Sequence, residues 1–372
     1  MIKIFHTADI HLDSPFGRMT HSERVAARRH QREIFEKMMR YVKENAFDLL
    51  LISGDLFDTT NPSPETEECV IKAFSALECP VVISPGNHDP YLRTPIYFKQ
   101  KLPENVYVFS SEEIQVFELE ELGLWVSGYA FTASNTYEKD PLEGFQRPAL
   151  DGVGILCAHA ELDSPLSRSA PLLRKDIAEC GFAYAALGHI HNFDRIIYEG
   201  DSVIAYSGCP EGRAFDEQEL GGAMSVIIED GRVKSAERII FAERRYLCRT
   251  LDISGISDDT SLLERVREYI RTEGFDENTA LRLTLTGEVD MSFTPDKSFL
   301  RGGISKELML VEIEDETFPR IDVAELERDP TLRGAVYKKL RAELESSDPK
   351  VRKIAAQALK VALYAIDRRD IR

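Results

Sequence analysis

The 372-residue sequence has no long apolar run. Its longest, such as Leu49–Ile52, fall far short of the ~20 residues that a helix needs to cross a bilayer, so no membrane span is expected. Cysteine is sparse: Cys69, Cys79, Cys157, Cys180, Cys209 and Cys248 are scattered and form no CxxC pair. This argues against a disulfide framework or a thiolate zinc site, and buried, reduced thiols of a cytoplasmic protein are the expectation. Internal repeats and low-complexity segments are absent. The N-terminal MIKIFHTADIHLD reaches His and Asp at once. It lacks the apolar core of a secretory leader and reads as a β-strand that ends in polar residues. Basic charge is in the minority, with 46 Lys+Arg against 64 Asp+Glu and a net charge of −18. This balance argues against non-specific nucleic-acid binding but does not exclude DNA, because a local basic surface can suffice.

Apolar residues make up 43% of the chain and charged residues 30%. So apolar a chain buries enough surface to offset the entropy of ordering. The length exceeds the roughly 250–300 residues at which one core stops growing, so one large domain and a smaller one are expected. The charge is uneven. From Arg333 to Arg372 there are 11 Lys/Arg against 5 Asp/Glu, a positive tail on a negative body.

The first half alternates strands and helices. Ile2–Thr7 reads as a strand. Ser22 is a candidate N-cap for a helix from Glu23 to about Asn45, with Val25, Ile34, Phe35, Met38 and Val42 on one face. Phe47–Ser53 is a nearly continuous apolar strand, the pattern of a sheet covered on both faces. Pro64 opens a helix through Leu77, and Val81–Ser84 is the next buried strand. After about Pro103 short strands follow one another, which two packed sheets with helices outside would accommodate. Near Arg244 the pattern resets into a small α+β unit, in size a cap. Two helices close the chain, one starting at Asp329-Pro330 and one at Asp348-Pro349. Val351, Ala355, Ala358, Ala362 and Ala365 share one side of the last, widened by Ile354, Leu359, Val361 and Ile366.

Five of the eight histidines lie in short polar segments where predicted strands end. These are Asp9-Ile10-His11, Gly86-Asn87-His88-Asp89, Ala158-His159-Ala160 and Gly188-His189-Ile190-His191; Gly54-Asp55-Leu56-Phe57-Asp58 adds carboxylates. In α/β sheets ligands bind at the carboxyl ends of strands. Imidazole, carboxylate and one amide oxygen, without thiolate, suit borderline-hard divalent metals. In Asp9-x-His11 and His189-x-His191 the i and i+2 side chains of an extended segment face the same way, so two ligands converge. Each string alone has an ordinary reading, such as a polar turn or a helix cap. Together, in this order and all at strand ends, they predict a two-metal site. His21 and His30 read as surface residues, and His6, on the opposite face of its strand, as a packed or supporting residue.

The pattern DxH…GDxxD…GNHD…H…GHxH resembles the signature of calcineurin-like metallophosphoesterases. The strings FHTADIHLDSPF, LLLISGDLFDTTNPSP, VISPGNHDP and ALGHIHNF are similar to the bacterial DNA-repair exonuclease branch of that family, the SbcD and YhaO group. The resemblance implies a four-layer α/β/β/α sandwich over 1–245, a small α+β capping domain over 246–328 and a C-terminal helix pair over 329–372. It implies one ion on Asp9, His11 and His191, a second on Asn87, His159 and His189, and Asp55 bridging both. His88 would be the catalytic histidine that binds no metal, and Asp58 and Asp89 would orient neighbours. The two divalent ions would be Mn²⁺, with Fe²⁺ or Zn²⁺ fitting the same ligands. Ala183 stands where many relatives have Asp, and the loop after His159 lacks a Tyr common before its Pro. Arg213, in SGCPEGRAFDE (207–217), is a candidate phosphate contact or an ordinary salt bridge.

The activity implied is metal-dependent phosphodiester hydrolysis of DNA, exonucleolytic or endonucleolytic, in repair. Implied partners are DNA, a second copy of the chain, and an SbcC-like, SMC-type coiled-coil ATPase on the C-terminal helices. The alternatives are a phosphoesterase acting on a small nucleotide or other phosphoester, and a weakly active DNA-end-binding scaffold. Phosphoprotein phosphatases of this family follow GDxxD with Arg-Gly and carry GNHE; here the residues are Asp58-Thr59-Thr60 and GNHD.

Overall fold

The apolar run around residue 50 forms strand β2 (Leu49–Ile52), buried on both faces. Leu50 and Ile52 point into one core, Leu49 and Leu51 into another. Period-2 geometry makes this split inevitable for a strand with cores on both sides. The same holds for β1 (Ile2–Thr7), where Phe5 and Ile4 face opposite ways. With β3 (Val81–Ile83) and β4 (Val106–Val108), β1 and β2 form a parallel run. Two antiparallel strands, Gly222–Glu229 and Arg232–Ile240, complete this six-stranded sheet on the β1 side. The computed structural model describes every residue except 18, 100–101, 193–194, 219–220, 291–292, 321–322 and 369–372. Phe193 of the ALGHIHNF string and the last four residues of the basic tail therefore lie outside the described residues.

A second six-stranded sheet is centred on β6 (Leu124–Gly128), β7 (Val153–His159) and the strand Tyr184–Gly188, all parallel. Edge strand β5 (Gln115–Leu119) runs antiparallel to β6. One core lies between the two sheets. A second lies between the first sheet and helices α1 (His21–Glu44) and α2 (Pro64–Ser75). A third covers the outer face of the second sheet with Ile177 of the short helix Arg174–Glu179. These layers make the α/β/β/α sandwich. The chain divides into two compact units, Met1–Arg245 and Tyr246–Arg372.

Helix α1 starts earlier than expected. Thr20, not Ser22, caps it, in a reciprocal capping box with Glu23. Val25, expected on the buried face, lies off it by helical periodicity and is 56% exposed. The basic residues Arg28 and Arg32 bind the loop that follows His11, through the Ser14 carbonyl and the Asp13 carboxylate. His30 is not a free surface group; it pairs with Glu211 at 2.7 Å.

In the second unit a three-stranded sheet, Arg245–Asp252, Thr279–Thr286 and Leu310–Asp315, carries helices Asp259–Thr272 and Lys297–Ile304 over a shared core. The closing helices are Leu332–Leu344 and Pro349–Arg368. The first begins after Thr331, because Asp329 accepts the Thr331 N–H and forms a turn instead of a cap. A short helix, Val323–Arg328, precedes them and was not anticipated. Leu326, Tyr337, Leu359 and Leu363 bury against one another, each Leu contributing about 1.5–3 kcal/mol. Ile354 and Val361, which widen the apolar side of the last helix, are 66% and 61% exposed. Among the described residues no helix is long and apolar enough to cross a membrane.

Candidate metal centre

Each polar segment singled out in the sequence begins where a parallel strand stops. Asp9 and His11 follow β1, Asp55 follows β2, Asn87 and His88 follow β3, and His159 ends β7. His189 and His191 follow Tyr184–Gly188. The chain bends sharply at these exits. Asp9, His11, Asp55 and His189 all have positive φ, at 51°, 50°, 50° and 98°. Backbone bonds hold the bends, with Asp9 N–H on the Gly54 carbonyl and His11 N–H on that of Asp55. Glycine is required at two contacts. A Cβ on Gly54 would lie 2.2 Å from His159 Nδ1, and one on Gly86 would lie 2.2 Å from Asp55 Oδ1.

The side chains converge. His11 Nε2 lies 3.1 Å from His191 Nε2, with Asp9 Oδ1 at 4.0 Å and 3.9 Å from the two. Asp55 Oδ2 is 3.6 Å from His11 Nε2 and 3.4 Å from His159 Nε2, midway between two imidazole groups. His159 Nε2 faces Asn87 Oδ1 at 2.9 Å, and the His189 ring lies edge-on to His159 with centroids 5.2 Å apart. Asp9, Asp55, His11 and His159 are fully or almost fully buried. All seven residues expected to bind metal therefore gather around one locus, in two groups that share Asp55.

The hydrogen bonds test whether cations fit. His11 Nδ1 faces Asp58 Oδ1 at 2.9 Å, and His191 Nδ1 faces Glu217 Oε1 at 2.6 Å. An ionised carboxylate only accepts, so each Nδ1 carries the hydrogen, and in the neutral rings each Nε2 is a bare lone pair. Two such lone pairs 3.1 Å apart repel unless a cation lies between them. That cation is either a metal ion or a proton on His191, which, against burial, Glu217 and Asp9 hold above the ordinary imidazole range. Imidazole nitrogens that share one divalent ion, each about 2.0–2.1 Å from it, come about this close. His159 repeats the logic, with Nδ1 on the Ser53 carbonyl at 2.9 Å and a bare Nε2 facing an amide oxygen. The residues fit a pair of divalent ions.

Electrostatics agree. Burial lifts the Asp9 carboxyl to about 7, against the pull of His191; a cation beside it would reverse this. Burial also pushes Asp55 upward, but His159, His11 and His88 outweigh it and hold the group below the usual carboxylate range. His159 is lowered by burial to about 4, so it is neutral and ready to ligate. His88 differs. The Asp58 hydrogen bond, at 2.8 Å from Nδ1, holds it above the ordinary imidazole range, and its side chain is 45% exposed.

The family model for calcineurin-like phosphoesterases matches residues 2–193. The chain belongs to that family. Over 246 residues the phosphoesterase is 30% identical to the uncharacterized metallophosphoesterase YhaO of Bacillus subtilis, covering 62% of this chain. It spans only 59% of that relative's length. Over 310 residues it is 25% identical to the SbcD component of the SbcCD nuclease of Bacillus subtilis, covering 72% of this chain and 76% of that one. Among solved structures, a dimetal phosphatase from Danio rerio matches at TM-score 0.40 and 10% identity, over 64% of this chain and 99% of that one.

Asp58 bridges His11 and His88. Asp89 is fully buried and accepts from Gly86 N–H, Phe57 N–H and Tyr97 Oη, at 2.8, 3.2 and 2.6 Å. It ties the GNHD turn to the GDxxD turn and does not face the centre's imidazoles. Arg213 lies at the centre, but its guanidinium is engaged by Glu217 at 2.7 Å. Glu217 was missed in the sequence. Its only signal was its place in the 207–217 string, four residues beyond Arg213. Ala183 is buried at the entry to its strand.

Proposed function

We propose that this phosphoesterase is a two-metal DNA nuclease, hydrolysing phosphodiester bonds as an exonuclease or endonuclease in repair. The observation that carries the chemistry is the facing pair of bare imidazole nitrogens on His11 and His191, each fixed by a carboxylate. Asp9, His11 and His191 would hold one ion, Asn87, His159 and His189 the other, and Asp55 both, with Mn²⁺ the preferred metal. When bound, such a pair supplies activation of water and compensation of charge at a phosphoryl group. His88 holds the proton. Its Nδ1 is anchored on Asp58, and its exposed edge presents an N–H to the leaving oxygen as a general acid. No protein nucleophile is required, and the buried Cys157 thiol, pushed up to about 12 by burial, holds no thiolate at neutral pH.

DNA as substrate is supported by the similarity to the SbcD component of the SbcCD nuclease, which extends over 310 residues and so beyond the sandwich. Basic residues of α1 such as Arg24 and Arg40 give a surface for the backbone. The exposed Ile354 and Val361 would seat an SMC-type ATPase of the SbcC kind on the last helix, and a second copy of the chain would pair the sites for two DNA ends. The setting would be the cytoplasm. The test is Mn²⁺-dependent cleavage of end-labelled duplex DNA, with chelator and His88→Ala controls and a generic phosphodiester in parallel. Cleavage lost in both controls supports the reading. Hydrolysis of the generic ester with intact DNA, even after the ATPase is added, refutes DNA as substrate. DNA binding without hydrolysis of either substrate makes the chain a scaffold.

A further inference from the structure

Buried Glu217 and half-buried Arg213 form an ion pair that the hydrolytic reading above leaves without a role. We propose that Glu217, braced by Arg213, is a positioning residue that fixes the His191 ring for the ion held with Asp9 and His11, and that the other ion does not depend on it. The inference rests on the two-metal reading.

His191 needs an orienting partner because an imidazole binds metal only through a nitrogen that carries no hydrogen, and the partner of the other nitrogen decides which that is. Glu217 Oε1 lies 2.6 Å from Nδ1. Arg213 Nη2 is 3.3 Å from the same nitrogen, an arrangement that would favour the opposite tautomer. The carboxylate is nearer, and an acceptor facing a bare Nδ1 at 2.6 Å would repel it, so Nδ1 carries the hydrogen. Arg213 instead holds the carboxylate. Its backbone N–H donates to Oε2 at 2.7 Å and its Nη2 to Oε1 at 2.7 Å. Its Nη1 reaches Ser14 Oγ at 3.2 Å, and Ser14 Oγ donates to the His11 carbonyl at 2.8 Å. The guanidinium is therefore a brace between the 207–217 loop and the turn of His11. The loop is also clipped to the histidine strand, by Cys209 N–H on the His191 carbonyl and Asn192 Nδ2 on that of Asp216.

The selectivity follows from what orients the other histidines. His159 is fixed by the backbone carbonyl of Ser53, which no side-chain substitution removes. His11 is fixed by Asp58, which also serves His88. Glu217 bonds His191 and neither of these rings. Its removal should reach one ion and leave the other.

The test uses the full chain as wild type, Glu217→Gln and Glu217→Asp. Free Mn²⁺ is followed by electron paramagnetic resonance during titration. The wild type should bind two ions. Glu217→Gln should bind one as before and the other about 10–100-fold more weakly, with Glu217→Asp between them. The His191 ring nitrogens in the chelator-treated wild type, read by nitrogen NMR, should show hydrogen on Nδ1. Two ions bound with unchanged affinity by Glu217→Gln, or both weakened equally, would overturn the inference. If that variant does not fold, a wild-type His191 with its hydrogen on Nε2 overturns it still. A wild type that binds no Mn²⁺ pair refutes the two-metal reading instead, a different outcome.

Discussion

Acidifying the chelator-treated protein from pH 8 to pH 5 should destabilise the first unit, and His6 should account for a defined part of the loss. His6 is fully buried on β1, facing the second sheet, with Nδ1 2.8 Å from Tyr184 Oη. Burial, opposed only in part by the Leu187 backbone, lowers its pKa from 6.5 to about 3. The folded state refuses a proton that the unfolded chain accepts below about 6.5. The contribution is therefore whole above that value and is lost as the pH falls toward 3. At pH 5 the unfolded chain gains ~2 kcal/mol from this group, and ~5 kcal/mol once the pH is below both values. Trp125, the single tryptophan, is buried in the same unit, so its fluorescence in urea reports this unfolding. His6→Gln keeps a polar partner for Tyr184 and does not titrate. Its own cost at pH 8 is irrelevant; what matters is the change from pH 8 to pH 5. That change should be ~2 kcal/mol smaller in the variant. Equal acid sensitivity in the two proteins, within ~0.5 kcal/mol, would refute the argument, because every other titrating group is common to both.

His88→Ala should keep both ions and lose about 10²–10⁴-fold in turnover, read as kcat at measured metal stoichiometry; a wild-type rate would remove His88 from the mechanism. Asp58→Asn removes the charge of the carboxylate whose hydrogen bond holds His88 high. The protonated form is then lost at lower pH, so the alkaline limb of the pH–rate profile should move to lower pH, and an unmoved limb contradicts the assignment. Gly86→Ala puts a methyl into Asp55 and should abolish paired metal binding while circular dichroism stays near that of the wild type. Retained two-ion binding would mean that the turn yields more than its contacts suggest.

Much of the site was legible because its residues sit in short strings tied to strand ends, where local pattern and position carry the information. Asp9-x-His11 and Gly188-His189-Ile190-His191 could be read as ligand pairs before any fold was known, and the structure gathers them at one locus. It does so through left-handed bends at Asp9, His11 and His189 and not through the extended i, i+2 geometry the spacing suggested. Glu217 could not. It meets His191 across 26 residues, through a loop whose closure depends on Arg213 and Ser14, and no periodicity announces such a contact. The start of α1 was misplaced for a related reason. Thr20 and Ser22 are both good caps, and only the reciprocal bond to Glu23 separates them. On the last helix, apolar residues surround more than one face. Composition alone does not say that Leu359 and Leu363 turn inward while Ile354 and Val361 face out. Arg232–Ile240 went unread as a strand because it is a half-exposed edge with mixed polarity, where pairing with its neighbour decides the conformation.

The left-handed bends at Asp9, His11 and Asp55 make this centre hard to transplant. Each costs a non-glycine residue about 1–2 kcal/mol, so the three together ask for roughly 3–6 kcal/mol from the surrounding scaffold. The scaffold helps meet that demand by pinning the β1 exit, through the Asp9 and His11 N–H groups, to the Gly54 and Asp55 carbonyls of the β2 exit. A host protein given the same seven side chains on relaxed loops would hold them in the wrong directions. Copying this chemistry would mean copying the strand exits first and the ligands second.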